Sequence, residues 1–139
     1  MVLLDTHVWL WAMEGNVRRI GKRSRQLLLR MQSRDAIRIS PVTLFELGAL
    51  HTHGRVRLML PLEQWIRESL DHQGVHLAEF TPTIATDAGR IPRTALTDPL
   101  DRMLVSTARQ LNATLLTADV AILAHAAKAG DVRVHDARL

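Results

Sequence analysis

The chain has 139 residues, 47% hydrophobic and 23% charged, which is the length and balance of one globular domain, residues 1–139, with a real core. It contains no cysteine, which excludes disulfides and thiolate metal sites and fits a reducing compartment. The net charge is +4; sixteen of the eighteen basic residues are arginine, and eight of the eighteen fall between Arg18 and Arg38 with Asp35 the only acid among them.

Val2-Leu3-Leu4 reads as a short buried strand. Thr6 to Met13 is an apolar helix stopping near Gly15. A basic amphipathic helix follows, with Ile20, Leu27, Leu28 and Met31 roughly on one face. Its arginines suit a polyanionic partner, because the guanidinium fork binds two phosphate oxygens; they equally suit a solvated helix face. Ile37-Arg38-Ile39 is a second strand. Ser40-Pro41 then supplies an N-cap and a proline at the first helical position, starting a helix that ends before Gly54. Pro61 to about His72 is another helix, Val75 to Phe80 a strand, and Thr83 to about Arg90 a short helix. Ile91 to Thr97 is a loop. A helix opened by Asp98-Pro99, a strand at Thr114–Leu116, a helix from Asp119 to about Lys128, and an edge strand at Val132–Val134 complete the chain.

Short apolar strands alternating with helices predict an α/β fold with a mainly parallel sheet. No apolar run approaches membrane-spanning length. Met1-Val2-Leu3-Leu4-Asp5 lacks a basic stretch and its apolar run stops at an acid, so a cytoplasmic protein without a signal peptide is expected.

The acids carry the chemistry. Active groups of parallel sheets gather beyond the carboxyl ends of the strands, and Asp5, Glu46, Asp98, Asp101 and Asp119 can all reach that edge. Asp5, Asp98 and Asp119 each have an alternative use as a helix cap, and Asp101 in a first turn suits the helix dipole. Glu46 has none: it lies inside a helix whose Val42, Leu44, Phe45, Leu47 and Leu50 leave little polar face. Two unit charges about 4 Å apart repel by roughly 4 kcal/mol at an effective dielectric near 20. A domain tolerates that when a divalent cation supplies the missing charge, and an all-oxygen set points to Mg²⁺, with Mn²⁺ as a substitute. Carboxylates, such an ion and nearby arginines together suggest phosphodiester hydrolysis by a metal-activated water. The histidines show no metal-ligand spacing, although His7 borders Asp5. There is no glycine-rich phosphate loop and no Gly-x-Ser-x-Gly elbow.

Four segments, Leu3-Leu4-Asp5-Thr6-His7, Ser40-Pro41-Val42-Thr43-Leu44-Phe45-Glu46-Leu47, Asp98-Pro99-Leu100-Asp101-Arg102-Met103-Leu104 and Leu115-Leu116-Thr117-Ala118-Asp119, resemble in order and spacing the PIN domain, and more closely the VapC-like toxins of type II toxin–antitoxin systems. The resemblance implies a three-layer α/β/α sandwich and a magnesium-dependent endoribonuclease with an acidic quartet. By matching positions the quartet is Asp5, Glu46, Asp101 and Asp119, with Asp98, Thr6 and Thr117 in support. It also implies an RNA substrate, a homodimer and a cognate antitoxin whose tail blocks the active cleft; a basic, apolar-rimmed cleft built from the first two helices, with Trp9 and Trp11 nearby, would suit both the antitoxin and RNA. The family often has histidine before the Asp-Pro pair, where this chain has Thr97. Two other classes compete: a PIN-like module that binds RNA or protein without catalysis, which would need a broken quartet, and a phosphotransfer domain. The dehalogenase type of the latter wants a second aspartate where this chain has His7, and a receiver wants a late lysine better placed than Lys128.

Overall fold

The structure is a computed structural model describing residues 1–139. Its elements run β1 (Val2–Leu4), α1 (Thr6–Met13), a 3₁₀ turn (Val17–Arg19), α2 (Lys22–Ser33), β2 (Ile37–Ile39), α3 (Pro41–Thr52), α4 (Leu62–Leu70), β3 (Val75–Leu77), α5 (Pro82–Arg90), α6 (Pro99–Leu111), β4 (Thr114–Thr117), α7 (Val120–Ala129) and β5 (Arg133–Asp136). The five strands form one sheet in the order β3-β2-β1-β4-β5, every pair parallel. Helices cover both faces, giving the expected three-layer α/β/α sandwich. No helix is long and apolar enough to cross a membrane.

Side chains alternate across a strand, and this chain uses both sides. Val2 and Leu4 of β1 and Leu116 of β4 enter one core with Trp9, Ile39, Leu47 and Trp65. Leu3 and Leu115, one residue out of phase, enter a second core with Leu104, Val105 and Ile122. That is why the strands read as unbroken apolar runs. Trp9 and Trp65 meet edge to face, with ring centroids 4.9 Å apart, and anchor α4 against α1.

Two elements depart from their sequence patterns. The third strand stops at Leu77, not Phe80, although the Ala78 amide still donates to the Ile39 carbonyl at 2.7 Å. Beyond it Thr81 caps α5, its Oγ1 accepting from the Ile84 amide, and Pro82 takes the first helical position. The basic helix begins only at Lys22, because Ile20 and Gly21 are extended. Gly21 donates to the Ala137 carbonyl at 2.8 Å, and a Cβ there would sit 2.1 Å from the Leu139 backbone. This close approach admits only glycine.

The direction in which strands are added to the sheet reverses at β1: β2 and β3 extend one way from it, while β4 and β5 lie on the other side. The crevice past the carboxyl ends of β1 and β4 is therefore the topological switch point, where open α/β sheets place their sites. Helix α3 packs against both α1 and α6.

Candidate acidic site at the switch point

Asp5 follows β1 directly. Its amide donates to the Leu116 carbonyl at 3.0 Å, which extends the β1–β4 ladder by one residue and fixes the carboxylate at the crevice. It is also the N-cap of α1, with Oδ1 accepting from the Thr6 amide at 2.7 Å. Its second oxygen accepts from Thr117 Oγ1 at 2.5 Å. Burial pushes the Asp5 carboxyl above the usual range, although these hydrogen bonds oppose the shift.

Thr117 ends β4 and is fully buried. A hydroxyl has one proton to give and lone pairs to receive, and Thr117 uses both. It donates to Asp5 and accepts from the Asp119 amide at 3.0 Å. One side chain thus sets the spacing of two acids. Asp119 in turn caps α7, with Oδ1 accepting from the amides of Ala121 at 2.8 Å and Ile122 at 3.1 Å.

Asp98 caps α6, its Oδ1 accepting from the Leu100 amide at 2.8 Å. Asp101 lies in the first turn of the same helix. It is half-buried and its carboxyl is pushed up to about 7, first by burial and then by repulsion from Asp119, Asp98, Asp5 and Glu46. Every leading charge acting on Asp101 is negative. Glu46 is also raised, mainly by burial, with Asp5 and Asp98 adding repulsion. Thr6 and His7 work in the other direction and favour the Glu46 carboxylate. Thr6 Oγ1 is buried without a geometric hydrogen-bond partner of its own, so its help to Glu46 is that of a nearby dipole. All five sequence-predicted acids therefore share one electrostatic neighbourhood, and the capping and clustering roles coexist in Asp5, Asp98 and Asp119.

The route to Glu46 by way of an apolar helix does not hold in detail. Phe45, counted with the apolar residues that crowd out a polar face, is 68% exposed, whereas Thr43 is fully buried. Helix α3 lies between two other helices, so its buried residues Val42, Thr43 and Leu47 do not trace one stripe. Glu46 is half-buried beside the other acids because of where α3 sits.

The donor set is all oxygen. As the side chains stand, no three acidic or histidine groups close around a single point. The uncompensated repulsion on Asp101 is the deficit that a divalent cation would fill. Asp5, Asp101, Asp119 and Glu46 thus fit such an ion chemically.

Among the other expected features, Trp9 is buried against Trp65, while Trp11 is half-buried with the Arg19 guanidinium 5.6 Å from its ring centroid. Between α1, α2 and the sheet lies an apolar cavity of about 290 Å³ lined by Leu4, Trp9, Met13, Ile20 and Leu28. From the sequence, Lys128 has no role beyond being poorly placed for a receiver lysine. In the fold it lines a cavity of about 640 Å³ with Asp98 and Asp101. The signal available for it was its spacing of seven residues from Ala121, two turns along one face of α7.

The chain is 28% identical over 124 residues to Ribonuclease VapC22 of Mycobacterium tuberculosis (strain ATCC 25618 / H37Rv), covering 89% of this chain and 91% of that protein. Its fold is similar to the crystal structure of VapBC2 from Rickettsia felis bound to a DNA fragment from its promoter, with a TM-score of 0.66, 18% identity and coverage of 97% and 98% of the two chains. It is also similar to VapBC-1 from nontypeable Haemophilus influenzae, with a TM-score of 0.63, 23% identity and 98% of each chain covered. The PIN domain family model matches residues 2–131, nearly the whole sandwich, and the chain belongs to the PIN-domain family.

Proposed function

We propose that this protein is a divalent-metal-dependent endoribonuclease, Mg²⁺ or Mn²⁺ serving as the ion, and that it acts as the toxin of a type II toxin–antitoxin pair. The observation that carries the nuclease reading is the convergence of Asp5, Glu46, Asp98, Asp101 and Asp119, with Asp101 pushed up to about 7 first by burial and then by its acidic neighbours. The name of Ribonuclease VapC22 supports RNA as substrate, and the toxin–antitoxin complexes among the similar folds support an antitoxin partner.

Asp5 and Asp101 hold the ion most directly, and Asp119 and Glu46 complete the set. When bound, the ion neutralises phosphate charge and lowers the pKa of a water. Thr117 keeps Asp5 and Asp119 in register through its two hydrogen bonds. Glu46, whose proton affinity is raised by burial, orients the attacking water and can take its proton. Thr6 supports Glu46. Asp98 caps α6 and adds negative charge to the rim. No side chain acts as a covalent nucleophile. The exposed arginines of α2 draw RNA to the surface by charge. In the cell the protein is a cytoplasmic homodimer restrained by a cognate antitoxin that covers the acidic cleft.

Asp5→Asn tests the reading. Asparagine's single Oδ1 can still accept the Thr6 amide, and its Nδ2 can donate to Thr117 Oγ1 once that hydroxyl turns its proton elsewhere, so the fold should persist. Metal-dependent RNA cleavage should fall to background. Cleavage at the parent rate in Mg²⁺ would exclude this mechanism.

A further inference from the structure

The cavity of about 640 Å³ beside the acids has a distinctive division of chemistry. Asp98 and Asp101 stand at one end. Ala121, Ala124 and Lys128, at positions i, i+3 and i+7 of α7, form one wall. Thr94, Ala95, Leu96 and Thr97 of the α5–α6 loop form the opposite wall. The alanines matter because larger residues on that face of α7 would fill the space. From Ala121 to Lys128 is roughly 10 Å along the helix at about 1.5 Å per residue. The volume lies within the range of about 300–1,000 Å³ of small-ligand pockets. Lys128 is one of only two lysines in the chain and the only basic side chain besides His125 in this lining. His125 stands deeper in the wall; its side chain is 7% exposed and its Nε2 has no hydrogen-bond partner, Asp131 Oδ1 being 3.9 Å away.

We propose that this cavity is the subsite for one nucleotide flanking the scissile phosphate of a single-stranded RNA, its base and ribose lying against the Ala121–Ala124 wall and its outer phosphate meeting Lys128. The proposal rests on the nuclease reading and extends it from the cleavage centre to the substrate. The acidic end cannot receive a phosphate without the metal, whereas the Lys128 end can, so the two ends separate neighbouring phosphates along one strand. The small apolar wall and the threonine hydroxyls opposite it offer a base both a surface to lie on and groups to bond. Duplex RNA presents its bases already stacked inside, so an unpaired nucleotide is the form that fits a pocket of this shape.

The test uses the full chain with Mg²⁺ replaced by Ca²⁺ and a fluorescent single-stranded RNA oligomer carrying 2′-O-methyl groups. Binding is read by anisotropy across a salt series. Ala124→Trp should fill the cavity and weaken binding at least tenfold, with a parent-like melting temperature and a parent-like metal-induced thermal shift. Lys128→Ala should lower the slope of log affinity against log salt by about 0.7, the value of one phosphate contact on a single strand, and Lys128→Arg should restore it. If Ala124→Trp binds the oligomer as tightly as the parent while the parent binds and cleaves RNA, the subsite is wrong and the nuclease reading stands. If the parent neither binds nor cleaves RNA, the nuclease reading fails and takes the subsite with it. An unchanged salt slope in Lys128→Ala removes the phosphate contact and overturns the proposed orientation.

Discussion

Neutralising Asp101 should stabilise the metal-free protein, and the size of the effect follows from the site. The Asp101 carboxyl is moved from 3.8 to about 7 by burial and by four neighbouring acids. At about 1.4 kcal/mol per pH unit the shift corresponds to about 4 kcal/mol against the ionised form. The side chain is only half-buried, and solvent screening reduces this to about 2 kcal/mol. Between pH 3.8 and about 7 the folded state holds a proton that the unfolded chain has released, so stability falls as pH rises through that window, and the full penalty is present above it. Asp101→Asn removes the penalty. For a chain of this length about 2 kcal/mol is roughly 6 °C in melting temperature. Melting followed by circular dichroism at pH 8 in chelator should show the variant above the parent by about that amount, and the gain should shrink to less than half at pH 5. Adding Mg²⁺ should raise the parent and leave the variant nearly unmoved, reversing or closing the gap. A variant that melts below the parent at pH 8 in chelator would mean that the carboxylate serves the fold, and the repulsion argument would fail.

Three further outcomes follow from the same geometry. Thr117→Val loses a donor to Asp5 and an acceptor for the Asp119 amide, both buried or part-buried; it should cost about 1–3 kcal/mol and shift the Mg²⁺ dependence of cleavage to higher concentration, read by denaturant melts and metal titration. Glu46→Gln should slow cleavage by about 10²-fold or more while keeping most of the Mg²⁺-induced thermal shift; equal loss of both would make Glu46 a principal ligand and not a base. Because an ion competes with the proton on Asp101, apparent Mg²⁺ affinity should rise with pH up to about 7 and flatten above it, which thermal shifts measured from about pH 5.5 to about pH 8.5 would reveal.

Much of the fold was legible because it is locally encoded. Val2–Leu4, Ile37–Ile39 and Thr114–Leu116 read as buried strands since both their faces are covered, and the structure extends the last by Thr117. The starts of α3 and α6 were marked by Ser40-Pro41 and Asp98-Pro99, and the structure places both caps there. The errors fall where a distant segment decides. The third strand ends early where Thr81 and Pro82 begin α5. Helix α2 starts late because Gly21 is held against the backbone of Arg138 and Leu139. Phe45, expected among the apolar residues, is exposed while Thr43 is buried, because α3 is wedged between α1 and α6, which no helical period encodes.

The candidate site divides in the same way. Residue type and position relative to strand ends were enough to single out Asp5, Glu46, Asp98, Asp101 and Asp119, since caps and carboxylates obey short-range rules. Their meeting was not encoded at short range. It depends on the strand order β3-β2-β1-β4-β5, which sets β1 beside β4 and brings Asp5 onto Thr117 across 112 residues of chain. From sequence alone came the acids and the elements that carry them. Only the tertiary structure decided that they face one another, that a threonine holds two of them in place, and that Asp101 is repelled by the rest, because charge repulsion and burial depend on distance in space and not on distance along the chain.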